Sequence, residues 1–484
     1  MLRETAEMPA ADVLTADTLI VGGGLAGLTL ARELAQAGQQ VAIFESGGTT
    51  IEPALEALND GVTRLHGPDG QQRNLGAYLR ESRCRCLGGS GNLWGGKCAE
   101  LDPIDFEHRR WINHSGWPFS YEDFKPYLDR ACFVMEIPVF NRQAAIDPDD
   151  PRAPLSINTE RVITTGLRRY SAIAGKAPQN HFARFVRDIA HLPGVTICLH
   201  ATVVELLSDP DKAGTITSLR IKASDGQFIT ARGQRVVLAA GGLENARILL
   251  TGGRNGRPLG SNPDLIGRYF MGHVMYRQTT ESPPTNTLEL DISAEHLRLY
   301  LDKDPTQPQG TLQLARRAQK RYRLPNTSIT LEPRDATSPS VPVFFMSEQQ
   351  PNPESCVTLD ENCDANGIRR LCLDWRFTAA DFAGMAQAVE LMGAELEDAG
   401  IGRLNCTIDQ QRLVTWADSA RHHMGTTRMH EQPSQGVVDV NCRVHGQEGL
   451  YVVGTSVFPT GGISNPTLSI IALTLRLADH ILVR

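Results

Sequence analysis

Gly22, Gly24 and Gly27, with Glu45 beyond them, are of the kinds and at the spacing that hold a dinucleotide. The first glycine allows a tight turn, the second lets the backbone approach a pyrophosphate, and the third lets a helix lie close to a strand. A carboxylate at Glu45 can accept both hydroxyls of a ribose. Toward the other end of the chain, His422-His423-Met-Gly425 and Asn465-Pro466-Thr467 set imidazoles and a side-chain amide among glycines. A neutral imidazole can take up a proton near neutral pH, its unperturbed pKa being about 6.5. An amide N–H can bond an oxygen that is gaining negative charge.

Such groups need strands and helices to position them. Thr18-Leu-Ile-Val21 is an apolar run that enters the first glycines, a helical pattern from Leu25 leaves them, and Val41-Ala-Ile-Phe44 ends at Glu45. This is the pattern of a βαβ unit whose helix N-terminus offers unpaired N–H groups to phosphates. Arg235 to Ala240 predicts a buried strand running into Gly241-Gly242, with a helix over 243–250. Strands are expected at 195–199, 201–207 and 216–223, with Asp225-Gly226 as a hairpin turn. Leu450 to Val453 predicts a strand ending at Gly454, and a glycine loop then leads to a helix starting near Asn465-Pro466. Residues 47–120 read as loops and short helices. Residues 277–420 hold fewer glycine motifs and more polar alternation, with proline joints such as Gln350-Pro-Asn-Pro353. They read as a separate covering region of several strands and at least one helix, about 378–399.

Composition narrows the function classes. The 484 residues suffice for a large core. A net charge of −7, without a long basic run, argues against a nucleic-acid partner. No apolar stretch is long enough to predict a membrane span, and the first residues lack the pattern of a signal peptide. Ten scattered cysteines fit neither a zinc framework nor a haem attachment site, so no metal is expected and a cytoplasmic, reducing compartment is.

The chain resembles the glucose–methanol–choline (GMC) flavin oxidoreductases. The resemblance is carried by the N-terminal glycine motif and by the loop Cys86-Leu-Gly88-Gly-Ser90-Gly-Asn-Leu-Trp94-Gly-Gly96. It is carried further by Ala239-Ala-Gly-Gly242 and by the block from His422 through Gly454-Thr455-Ser456 to Asn465-Pro466-Thr467. The motif spelling is nearest to bacterial sugar and pyranose oxidoreductases. The implied fold class is α/β (α+β overall), with a Rossmann-like FAD-binding domain and a discontinuous substrate-binding domain built on a β-sheet. The implied division is 14–110, 190–276 and 420–484 for FAD, and 111–189 and 277–419 for substrate.

The resemblance implies FAD contacts at Gly22, Gly24, Leu25, Ala26, Gly27 and Glu45. It implies others at Gly88, Gly89, Ser90, Asn92 and Trp94, and at Val203, Gly241, Thr455, Pro466 and Thr467. It assigns His422, three positions before Gly425, as the base, and Asn465 as its partner at the substrate oxygen. Oxidation of an alcohol then sends a hydride to flavin N5 and a proton to imidazole, with oxygen or a quinone-like acceptor taking the electrons onward. His423 is the alternative base, otherwise a packing or hydrogen-bonding neighbour. Trp94 reads equally as packing beside the flavin, Ser115-Gly-Trp117-Pro118 as a structural turn, and Asp439 as a capping or pairing group. Two departures stand out. Leu93 occupies the position where some sugar oxidases carry a flavin-linked histidine, so FAD is expected to be non-covalent. Gly454-Thr455-Ser456 replaces the common Asp-Gly-Ser. Alternatives to a sugar substrate are another alcohol or a non-redox lyase. A pyridine-nucleotide reductase would need a second dinucleotide motif, which the sequence lacks, and an inactive flavoprotein scaffold sits poorly with the His–Asn pair.

Overall fold

A computed structural model describes the chain outside residues 10–12, 69, 142–151, 158–160, 176–180, 254–255, 277–285, 303, 333–339, 407, 409–420 and 484. Among the described residues, one sheet has the strand order Leu2–Glu4, Val195–Leu199, Val41–Phe44, Thr18–Val21, Arg235–Leu238 and Leu450–Val452. Every neighbouring pair in it is parallel. Thr18–Val21 and Val41–Phe44 are buried at every position, as strands covered on both faces must be. The Leu25–Gln36 helix packs against the C-terminal helix Thr467–Val483 beside this sheet. Three separated stretches of sequence therefore build one Rossmann-like layer. The 195–199, 201–207 and 216–223 expectations correspond to Val195–Leu199, Thr202–Ser208 and Ile216–Lys222, and the chain turns at Gly226 into Phe228–Arg232.

A second, antiparallel sheet carries the region expected to cover the substrate. Its order is Gly402–Asn405, Thr287–Leu290, Ser340–Glu348, Thr327–Leu331, Gln309–Leu314, Ile163–Tyr170 and Lys97–Cys98, with His273–Tyr276 also pairing Ser340–Glu348. Successive residues of a strand point to opposite faces, and here the two faces differ in character. Val274, Leu312, Ile329, Leu331, Val343 and Phe345 join one apolar cluster with Phe382, Met385 and Val389. Those last three lie on the helix Ala379–Asp398. Thr378 caps that helix by accepting from the Asp381 N–H, and the Asp381 side chain bonds back to the Thr378 N–H, a reciprocal capping box. The other face presents His273, Arg168, Thr311, Ser328 and Thr330.

Residues 61–74 differ from the loop-and-helix expectation. Gly61–His66 and Gln72–Asn74 are strands, and Gly61–His66 runs parallel to Arg369–Arg376. The reason is long-range. The backbone partner lies some three hundred residues away, and a six-residue strand has no local periodicity strong enough to announce it.

Candidate active site

The glycine cradle forms where the Thr18–Val21 strand ends. Gly22 has φ +107°, and a Cβ there would lie 2.8 Å from the Ala239 carbonyl oxygen. A Cβ on Gly27 would sit 2.1 Å from the Gly22 oxygen, so this glycine is needed for helix–strand packing. At Gly24 a Cβ would meet nothing within 4 Å. That open space belongs to a cavity of about 520 Å³, lined among others by Gly22, Gly24, Leu25 and Ala26. No side chain caps the first N–H groups of the Leu25–Gln36 helix, which leaves them free for an anion. Glu45 lines the same cavity, accepting from the Gly23 N–H and the Gly47 N–H, each at 2.8 Å. Burial raises the pKa of its carboxyl despite these bonds.

The 86–96 loop closes one side. Gly88 N–H donates to the Gly23 oxygen at 2.8 Å, and the Asn92 amide donates to the Leu87 and Gly89 oxygens. Gly89, Ser90, Leu93 and Trp94 reach the cavity, and the buried indole N–H of Trp94 has no partner among the described residues. Val203, Gly241, Thr455, Pro466 and Thr467 line the remaining walls. Asn245 ties two of these walls together, accepting from Ala240 N–H and donating to Val453 O and Ser456 Oγ. Gly27, Gly88 and Asn92 stand behind the lining and shape it. An uncapped helix start, a glycine that leaves room for a ligand and an orphaned indole donor together fit a bound dinucleotide.

A charge cluster on the cavity wall was not legible in the sequence. Glu244 pairs with Arg83 and Arg85, each at 2.8 Å, and with Arg247 at 3.1 Å; Arg247 also meets Asp364 at 2.7 Å. Burial alone would raise the Glu244 carboxyl, but Arg85, Arg247 and Arg83 hold it well below the usual carboxylate range. Burial pushes Arg83 down to about 10. The sequence signal was present only as Arg83-Cys-Arg85 ahead of the glycine loop.

His422, His423 and Asn465 all reach the cavity. His422 is half-buried, open on the cavity side, and its Nδ1 lies 2.7 Å from Nδ1 of His273. His273 is fully buried, and its Nε2 lies 2.9 Å from the Gly462 carbonyl oxygen. A carbonyl only accepts, so His273 Nε2 carries the hydrogen. Burial pushes His273 down to about 4, so the ring is neutral and its Nδ1 is an acceptor. His422 must therefore donate from Nδ1, which leaves its Nε2 as a bare lone pair. Burial, then the positive charge that His273, His423 and Arg168 can bear, hold His422 well below the usual histidine value. The Asn465 side chain makes no hydrogen bond to any described residue, so its amide remains available to a ligand.

His423 turns the other way. Its Nε2 lies 3.0 Å from the Tyr78 hydroxyl, and its ring sits edge-on to Tyr78 and beside Phe270. Burial pushes it down to about 3. The neighbouring expectations also find their places. Trp117 Nε1 donates to Thr460 Oγ1 at 3.1 Å next to a turn at Gly116, and Asp439 accepts from the Asn441 and Arg443 N–H groups. His273 and Tyr78 had no sequence signal, since neither lies in a recognisable motif.

A nucleotide-binding parallel sheet and an antiparallel sheet, with a histidine and a free amide at the cavity, define a cofactor-dependent enzyme of the flavoprotein type. Residues 17–260 match the family described as FAD dependent oxidoreductase, and residues 351–474 match the family described as GMC oxidoreductase. The chain belongs to the FAD-dependent oxidoreductases, with a C-terminal part that matches the GMC oxidoreductases. It is 24% identical to a 2-methyl-1,2-propanediol dehydrogenase of Mycolicibacterium austroafricanum, over 96% of this chain and 95% of that one. It is likewise 24% identical to a 6'''-hydroxyparomomycin C oxidase of Streptomyces lividus, over 96% of this chain and 92% of that one. The pyridoxine 4-oxidase from Mesorbium loti superposes with a TM-score of 0.59 at 19% identity, covering 96% of this chain and 98% of the other, a likeness of fold. No helix among the described residues is long and apolar enough to cross a membrane.

Proposed function

We propose that this enzyme oxidises a CH–OH group of a sugar or glycoside, with His422 as the general base and Asn465 as the hydrogen-bond donor to the substrate oxygen. The observation that carries the reading is the bare Nε2 of His422. It is fixed in that state by the chain His422 Nδ1–H to His273 Nδ1, and His273 Nε2–H to Gly462 O. A base that takes an alcohol proton must offer a lone pair, and this arrangement allows the ring no other neutral tautomer without breaking a buried bond. The unengaged amide of Asn465 stands on the same cavity wall and can stabilise the oxygen as it approaches an alkoxide. When bound, FAD supplies the hydride acceptor. The glycine cradle, Glu45, the helix starts at Leu25 and Thr467, and the 88–94 loop are the groups that hold it, without a covalent bond at Leu93. Residues 14–110, 190–276 and 420–484 form the FAD-binding part, and 111–189 and 277–419 the substrate part, with the 61–74 strands reaching across to the latter. The names of the two relatives, a diol dehydrogenase and an oxidase of a hydroxylated compound, support oxidation of a CH–OH group, the coarser part of this reading.

The test is anaerobic mixing of the purified holoenzyme with a panel of sugars, glycosides and simple alcohols, read by loss of flavin absorbance near about 450 nm. Bleaching supports an oxidoreductase; product formation without bleaching would mean a lyase. His422→Ala should slow bleaching by roughly 10²–10⁴-fold while FAD stays bound. Undiminished bleaching in that variant would remove His422 from the role.

A further inference from the structure

The loop that closes one side of the cavity ends by delivering a cation to it. Gly89, Ser90, Trp94 and Gly95 line the cavity, and Lys97 lines it after them. The chain is fixed at that point. Gly96 has φ +80°, a Cβ there would lie 2.6 Å from the Ser171 oxygen, and the Ser171 N–H donates to Gly96 O at 2.8 Å. Lys97 then pairs with Tyr170 at the edge of the antiparallel sheet, and its Nζ lies 5.7 Å from the centre of the Tyr170 ring. Just beyond, Glu100 O accepts from Ser464 Oγ, and a Cβ on Gly462 would lie 3.0 Å from Leu101 Cδ2. The segment that carries Lys97 therefore runs beside the 462–464 loop that leads into Asn465.

Charge is distributed unevenly along this cavity. Its carboxylates gather toward Glu45. Glu244 is joined to that end through Arg85, which meets Glu244 at 2.8 Å and donates to Ser46 Oγ at 2.9 Å. Asp364 meets Arg247. Glu205 stands on the strand Thr202–Ser208, which leaves Ala201, and the Ala201 N–H donates to Glu45 O. Arg83, Arg85 and Arg247 are thus matched by carboxylates, and Arg421 is exposed, where water and salt screen it. Lys97 is half-buried. On the far side of Asn465 the Thr467–Val483 helix begins, with Thr467 and Ile470 lining the cavity, and its backbone dipole is positive at that end. An ammonium and a helix N-terminus flanking one end of a cavity favour a ligand that becomes negative there.

We infer that Lys97 holds the negative charge that the flavin ring gains on reduction, and so sets the potential at which this enzyme accepts electrons. The inference rests on the reading above, in which His422 and Asn465 mark the reacting edge of the cofactor, and adds a residue that tunes that edge. A hydride brings two electrons and one proton to the ring, while the proton of the alcohol goes to His422. The ring therefore gains one negative charge, and it needs a second proton only where nothing meets that charge. One ammonium at this edge of a cavity shielded from water meets it. Lys97 acts on every substrate alike: it favours reduction without choosing between alcohols.

The experiment brings the bound FAD of the holoenzyme to equilibrium with a reference dye under anaerobic reduction. In the wild type the reduced ring should stay anionic below neutral pH, so that two electrons enter with one proton and the potential falls by about 30 mV per pH unit. A slope of about 59 mV, the uptake of two protons, would overturn the inference without any variant. Lys97→Gln and Lys97→Met should each lower the equilibrium constant for reduction at least about tenfold, or about 30 mV, whereas Lys97→Arg, which keeps the charge, should stay within about threefold of the wild type. The two neutral variants should also bleach more slowly at saturating alcohol, with little change in KM. An unchanged potential in Lys97→Gln would overturn the inference, and a raised KM beside it would make Lys97 a substrate-binding group instead. A lowered potential with no bleaching by any alcohol sustains Lys97 and removes His422. Bleaching that depends on His422, with an unmoved potential in Lys97→Gln, does the reverse.

Discussion

Replacing His273 separates the setting of a base from its mere presence. His273→Ala removes the acceptor of the His422 Nδ1–H and leaves that donor facing a small apolar void. A buried donor stripped of its partner costs about 1–3 kcal/mol. If that cost falls on the reacting state, kcat for flavin reduction drops roughly 5- to 150-fold. The His422 ring is also freed to turn or to move its hydrogen to Nε2, and either event takes away the lone pair. His273→Asn is the informative companion, because its carbonyl oxygen can accept from His422 while its amide points toward Gly462. It should recover most of the rate. Stopped-flow bleaching under anaerobic conditions, followed across pH, is the assay. In the wild type the reduction rate should stay on its plateau down to pH values well below the ordinary histidine range, because His422 resists protonation. His273→Ala should lower the plateau and move the acid limb, with little effect on KM. Equal losses in the Ala and Asn variants, with an unmoved limb, would refute the relay and reduce His273 to a packing residue.

Two further outcomes follow from the described geometry. His423 is held neutral by burial, with a pKa of about 3, whereas in the unfolded chain it titrates near about 6.5. Between those values the unfolded chain binds the extra proton, so the contribution of His423 to stability is complete above pH 6.5 and is lost as pH falls. From pH 7 to 5 the wild type should lose roughly 2 kcal/mol relative to His423→Gln, measured by denaturant titration at both pH values; parallel losses in the two proteins would contradict the assignment. With Leu93 at the position of the flavin-linked histidine, acid or heat denaturation should release all the FAD, and colour left on the precipitated chain would disprove the non-covalent mode.

The dinucleotide cradle was legible because its requirements are local. Gly22, Gly24 and Gly27 answer to backbone geometry within a few residues, and the alternation of apolar runs around them marks strand, helix and strand. The Thr378 cap and the helix behind it were readable for the same reason. What stayed hidden depends on partners distant in sequence. His273 matters because it meets His422, 149 positions away, and Tyr78 because it meets His423, 345 positions away. The parallel pairing of Gly61–His66 with Arg369–Arg376 leaves no mark in either strand alone. His422 and Asn465 were found through the resemblance of their motifs, whereas the order of donor and acceptor that leaves Nε2 without a hydrogen came only from the geometry.

The two-sidedness of the antiparallel sheet bears on how such an enzyme diversifies. Alternate positions of the same strands answer to separate demands: Ile329 and Phe345 hold the fold against the 379–398 helix, while Ser328, Thr330 and Thr311 lie on the opposite, polar face. Selection can therefore rewrite the second set one residue at a time and leave the first untouched.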